Sequence, residues 1–192
     1  MRLFVLTRHA QSTLNLEGRI NGDPSVPVPL TAEGREEASR LGHQLAELPL
    51  DLCVHSRFER TRETAESVFA GRVVPTVEER LLDDIDVGDL EGATIADYRA
   101  WKSAHTRADR FPGGESLDDA ARRYARAFRR LLAREERSTL VVCHEIPVRY
   151  ALNAAAGSGD LDSPESKIPN ATPYLFDEIA LERAAARIES LT

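Results

Sequence analysis

The sequence predicts an α/β protein, a three-layer sandwich with a mostly parallel central sheet and helices on both faces. Two observations predict it. Short apolar runs recur at residues 2–7, 51–55 and 138–143, each the length of a buried strand. Each is followed by a segment with helical spacing and helix-start signals, and alternation of this kind builds βαβ units. No internal repeat or low-complexity stretch interrupts the pattern.

In chain order, residues 2–7 read as the first strand. Residues 31–48 read as a helix, with Thr31 as N-cap and Ala38, Leu41, Leu45 and Leu48 on one face. Residues 51–55 form the second strand, and 57–70 a helix with Phe58, Thr61, Ala65 and Val68 inward. A short strand is expected at 73–77, limited by Pro75. Residues 83–115 are irregular and read as a cap-like segment, with a helix near 94–104. Ser116 and Asp119 form a capping pair for a long helix over 116–136, whose inner face carries Ala120, Tyr124, Phe128 (or Ala127) and Leu131. Residues 138–143 are the third clear strand, followed by a helix near 147–156 with Pro147 in its first turn and Gly157 as its stop. Residues 172–191 carry both helix propensity and a strand-like stretch, and are expected to form an edge hairpin.

The length, 192 residues, suits one domain over 1–192. Hydrophobic residues make up 42% and charged residues 30%, a globular balance. No stretch approaches the ~20 apolar residues of a membrane span. The short apolar run at the N-terminus suits a strand better than a signal peptide, so a cytoplasmic location is expected. The net charge of -7 argues against nucleic acid or an anionic membrane as partner. A local arginine cluster can still hold a small anion, and the basic residues are nearly all arginine, with Lys102 and Lys167 the exceptions. Cys53 and Cys143 each lie within a strand-like run and read as buried thiols.

The candidate chemistry lies at the strand ends. Arg8 and His9 directly follow the first strand, Arg60 opens the helix after the second, and His144 directly follows the third. In an open parallel sheet ligands bind at the carboxyl ends of the strands, so these groups can meet at one edge. A lone histidine at a strand end is usually structural. Two arginines and two histidines converging there specify an anion site, and phosphate is the obvious anion. A neutral imidazole can attack phosphorus, and the arginines can neutralise the equatorial oxygens without a metal. No His, Cys or carboxylate spacing specifies a metal site, so neither metal nor cofactor is expected. A leaving alkoxide needs a proton. The acidic stretch 81–92 offers Asp83, Asp84, Asp86, Asp89 and Glu91, and periodicity does not choose among them.

These residues resemble the histidine phosphatase superfamily, also called the phosphoglycerate-mutase-like family, along nearly the whole chain. Residues 8–15 (RHAQSTLN) are similar to its Arg-His-Gly-x-Thr-x-x-Asn signature, and 29–34 (PLTAEG) to its Pro-Leu-Thr-x-x-Gly. Residues 56–65 (SRFERTRETA) are similar to Ser-Pro-Leu-x-Arg-Ala-x-Gln-Thr-Ala, 112–116 (PGGES) to Pro-x-Gly-Glu-Ser, and 141–144 (VVCH) to Val-Val-Ser-His. Asn170 falls where the family has a late Asn. The resemblance implies His9 as nucleophile and His144 as the second catalytic histidine. It implies Arg8 and Arg60 as phosphate ligands, Arg60 rather than Arg57 or Arg62, Asn15 as a phosphate ligand or a brace of the loop, and Asp84 as proton donor ahead of Asp86 and Asp83. Arg19 falls in a segment similar to the family's Arg-x-x-Gly loop, where a phosphate-side role and a structural one are equally compatible. Ala10 and Glu145 each replace a usual Gly, and Asp84 a usual Glu.

The expected activity is a metal-independent phosphatase acting on a small phosphorylated substrate through a phosphohistidine. One alternative is a phosphoglycerate-type mutase, whose acid segment would read Glu-Arg-His-Tyr-Gly where this chain has DIDVG at 84–88. The other is a non-catalytic phospholigand-binding module, motivated by Ala10, Asp84 and Glu145. Oligomeric state is open, a homodimer included.

Overall fold

The computed structural model describes residues 1–192. β1 (Leu3–Arg8) is followed by α1 (Thr13–Glu17) and α2 (Ala32–Gln44). β2 (Leu52–His55), α3 (Glu59–Val68) and β3 (Thr76–Glu78) come next. Two single-turn 3₁₀ segments, Arg80–Leu82 and Gly88–Leu90, lead to α4 (Ile95–Ala104). α5 (Leu117–Leu132), β4 (Ser138–Cys143), α6 (Glu145–Ala155), β5 (Pro173–Asp177) and α7 (Glu178–Leu191) complete the chain. The sheet order is β3-β2-β4-β1-β5, parallel except for β5, which runs antiparallel to β1. This is the three-layer α/β arrangement expected from the alternation. No helix is long and apolar enough to cross a membrane.

Every residue of β4 is buried, as a central parallel strand covered on both faces should be. One core, with Tyr124, Phe128, Tyr150 and Ile188 among its members, lies under α5, α6 and α7. A smaller one, built on Ala38, Leu41, Ala65 and Val68, lies under α2 and α3. The long α5 starts where its capping pair places it. Ser116 Oγ accepts from the Asp119 N–H at 3.0 Å, and Asp119 Oδ2 accepts from the Ser116 N–H at 3.3 Å. Such a cap contributes about 1 kcal/mol. Burying a side chain such as Phe128 contributes more, roughly 1.5–3 kcal/mol, so the apolar face rather than the cap holds α5 in place.

Three local expectations change. Residues 172–191 form a strand and a helix instead of a hairpin. Asp177 Oδ1 accepts from the Ala180 N–H at 2.7 Å and starts α7. Leu181, Ala184, Ala185 and Ile188 then bury one face at helical spacing, so propensity and packing agree. The strand expected at 73–77 is confined to Thr76–Glu78, beyond Pro75, whose carbonyl accepts from the Cys53 N–H. α6 begins at Glu145, two residues before the expected start, because Pro147 in a first turn gives up no helical hydrogen bond.

The register levels the strand ends. Arg8 pairs with Cys143 and His55 with Val142. The ladder continues one residue further, with the His9 N–H on the Cys143 carbonyl at 2.9 Å and the Ser56 N–H on the Val142 carbonyl at 3.3 Å. His9, Ser56 and His144 therefore leave the sheet at one edge.

Candidate active site

His9 is 2% exposed. Its Nδ1 lies 2.7 Å from its neighbour's carbonyl, Ala10 O, and its Nε2 lies 3.0 Å from Arg60 Nε. A guanidinium only donates, so Nε2 must accept and Nδ1 must carry the proton. The contacts thus fix one neutral tautomer with its Nε2 lone pair in the site. Burial, then the charges of Arg60 and Arg8, hold this imidazole well below the ordinary histidine range, so it stays neutral.

Arg60 is the hub. It is 4% exposed and its guanidinium carbon stands 4.2 Å from the Phe58 ring centroid. Nη1 donates to Asn21 Oδ1 at 2.5 Å. Nη2 lies 3.2 Å from each of Asn21 O, Asp84 Oδ2 and His144 Nδ1. Burial lowers its pKa to about 10, opposed by Asp84, so it remains charged at neutral pH. The helix bearing it is tied back to the His9 loop, where the Ala10 N–H donates to Thr64 Oγ1 at 3.0 Å.

His144 is fully buried, and its ring packs edge-on against Phe58 and His9 at centroid distances of 4.7 and 5.4 Å. Its Nε2 lies 2.8 Å from Ser56 Oγ. The Ser56 hydroxyl can donate or accept, and Nδ1 meets both the Arg60 guanidinium, which only donates, and the Asp84 carboxyl, so these contacts are compatible with the His144 proton on either nitrogen. Burial, with Arg60 next, keeps it neutral as well.

Of the acidic candidates only Asp84 reaches this group, with Oδ2 3.3 Å from His144 Nδ1 and 3.2 Å from Arg60 Nη2. Burial pushes its carboxyl above the usual range, with Arg60 opposing. Asp83 is held by Arg57, at 2.7 Å from Nε and 2.6 Å from Nη2. Asp86 accepts from the Gly88 N–H in an exposed turn. Glu91 braces a loop, accepting from Asn21 Nδ2 at 2.7 Å and the Gly22 N–H at 2.6 Å.

Arg8 donates through Nη1 to the Ile168 carbonyl and to Glu145 Oε2, each at 2.8 Å, and its buried Nε has no partner. Asn15 is chiefly a brace. Its Oδ1 accepts from the Ser12 N–H at 3.2 Å and from Asn170 Nδ2 at 3.4 Å, while the same Asn170 nitrogen donates to the His9 carbonyl at 2.7 Å. Arg19 makes no contact with this group; its Nε donates to the Gly92 carbonyl at 2.7 Å.

Sequence reasoning missed Asn21, Ser56 and Phe58 as parts of the site. Asn21 had a signal, since it precedes Gly22, where any Cβ would lie 2.2 Å from the Ile85 carbonyl. That close approach docks the Asn21 loop beside Asp84. A cleft of about 490 Å³ opens next to Asp84, and none of its 12 lining residues is hydrophobic. The structure assembles no group of three or more His, Cys, Asp and Glu that could hold a metal ion. Cys53 and Cys143 are buried and unpaired, and burial pushes the Cys53 thiol up to about 12.

The family model of the histidine phosphatase superfamily (branch 1) matches residues 4–185. The chain is 33% identical over 167 residues to a 2,3-bisphosphoglycerate-dependent phosphoglycerate mutase 2 of Gloeobacter violaceus, covering 79% of this chain and 74% of that one. It is 31% identical to a rat 6-phosphofructo-2-kinase/fructose-2,6-bisphosphatase 4, covering 99% of this chain but only 40% of that longer protein. Among solved structures it is similar to the α-ribazole phosphatase of Shigella flexneri, with a TM-score of 0.80, 25% identity and coverage of 91% and 90% of the two chains. The strand-end histidines and arginines, the ordered motifs and the family match agree, and the chain belongs to branch 1 of the histidine phosphatase superfamily.

Proposed function

We propose that this protein hydrolyses phosphate monoesters through a phosphohistidine on His9, with Asp84 as general acid and without a metal ion. One observation carries the reading: the neutral His9 tautomer whose Nε2 lone pair faces Arg60, within a group that also holds His144 and Asp84. In the first step Nε2 attacks phosphorus, the P–O bond to the alcohol breaks, and Asp84 gives its proton to the leaving oxygen. Arg8 and Arg60 hold the equatorial oxygens. His144 donates to one of them from Nδ1 when the Ser56 hydroxyl donates to Nε2. In the second step water attacks phosphorus, Asp84 takes its proton, and the P–N bond breaks. Asn15 and Asn170 hold the His9 loop in place for both steps. The raised pKa of Asp84 suits a group that must start protonated. The cleft beside it, lined chiefly by charged side chains, suits a polar alcohol.

Similarity to a phosphoglycerate mutase favours a second reading, isomerisation through the same phosphoenzyme. Incubation with 3-phosphoglycerate and with a panel of phosphate esters separates the two. Inorganic phosphate release is the expected result, and isomerisation without release would overturn the phosphatase reading.

A further inference from the structure

Glu145 stands in contact with the phosphate-side arginine. Its Oε2 lies 2.8 Å from Arg8 Nη1, and its Oε1 lies 3.1 Å from Arg149 Nη1. As the first residue of α6 it sits at a helix N-terminus, where acidic side chains are favoured. Its side chain is 30% exposed and so meets solvent. Behind it further cations gather around Asp162. Arg149 Nη2 lies 2.7 Å from Asp162 Oδ1, Arg107 pairs with Asp162 and with Asp118, and Lys102 lies 3.8 Å from Asp162. The carboxylate in direct contact with the phosphate-side Arg8 is that of Glu145.

We propose that Glu145 is a specificity-determining residue that admits phosphomonoesters of uncharged, hydroxyl-bearing alcohols and rejects esters carrying a second anionic group near the phosphate. The proposal rests on the phosphatase reading above. When the ester phosphate engages Arg8, the Glu145 carboxylate remains at its side, still held by Arg149. A substrate hydroxyl can donate to that carboxylate. A substrate carboxylate or second phosphate meets a like charge across a half-buried wall, where repulsion is screened less than in water.

The test uses two esters that differ in one group, glycerol 3-phosphate and 3-phosphoglycerate, with p-nitrophenyl phosphate as reference. Wild type is expected to favour glycerol 3-phosphate in kcat/KM by about tenfold or more. Glu145→Gln, which keeps the shape and removes the charge, is expected to collapse that ratio towards one, chiefly through KM for 3-phosphoglycerate. Glu145→Asp is expected to retain the preference. A wild type that favours 3-phosphoglycerate overturns the proposal whatever the variants do, and so does an unchanged ratio in Glu145→Gln. If no ester, p-nitrophenyl phosphate included, releases phosphate, the phosphatase reading falls and takes this proposal with it.

Discussion

Asp84→Asn isolates proton donation from the rest of the site. The amide keeps the size of the carboxyl, and its one oxygen can still accept from Arg60 Nη2, now 3.2 Å from Oδ2, while the amide nitrogen takes the place of Oδ1, which accepts from the Ile85 N–H at 3.0 Å. What it loses is an acidic proton beside His144. General acid catalysis contributes about 10²–10⁴-fold, or roughly 2.7–5.5 kcal/mol of barrier. For an alkyl phosphate, whose alkoxide cannot leave unprotonated, kcat/KM should fall by about 10²–10³-fold. For 2,4-dinitrophenyl phosphate, whose phenolate leaves without help, the fall should be less than about tenfold. Steady-state phosphate release from both esters gives the ratio, and inorganic phosphate inhibition reports whether the anion site survives; its affinity is expected to hold or tighten. An equal loss on both esters would refute Asp84 as the acid and reduce it to a partner of Arg60.

The pH profile of kcat/KM should be bell-shaped, with free-enzyme groups setting both limbs. Burial with Arg60 and Arg8 lowers His9, so protonation of the nucleophile should end activity only well below the ordinary histidine range, while the alkaline limb follows loss of the raised Asp84 proton. A shallower or absent alkaline limb in Asp84→Asn checks that assignment by titration. Asn21→Ala removes the acceptor of Arg60 Nη1, and kcat/KM should fall by about 10–100-fold through misplacement of the guanidinium, with thermal stability as the control. Activity should persist in a chelator such as EDTA; its loss there and restoration by a divalent cation would defeat the metal-free mechanism.

Much of the fold was legible because central parallel strands are short, apolar and bounded by helix caps. β1, β2, β4 and the buried face of α5 follow from that pattern alone. The C-terminus was harder, since residues 173–179 alternate like a strand while 178–191 carry helix formers, and both states occur in succession. The positions of His9, Arg60 and His144 were legible from topology, because a parallel sheet brings strand ends to one edge. The choice of Asp84 was not. Asp83 and Asp84 are adjacent, and only the turn after Arg80–Leu82 sends one to Arg57 and the other to Arg60. Asn21, whose carbonyl and side chain both hold Arg60, was marked only by the Gly22 that follows it, because its loop is positioned by Glu91, 70 residues away. Sequence marked Glu145 only as the replacement of a usual Gly, whereas the structure pairs it with both Arg8 and Arg149.

The central claim is covalent transfer of the phosphoryl group to His9 Nε2. Rapid acid-free quenching of wild type with a ³²P-labelled ester, followed by mapping of the labelled peptide, tests it most directly. The account predicts a base-stable, acid-labile phosphoramidate on His9, absent from His9→Ala. Full turnover by His9→Ala, or a label on another residue, would contradict it.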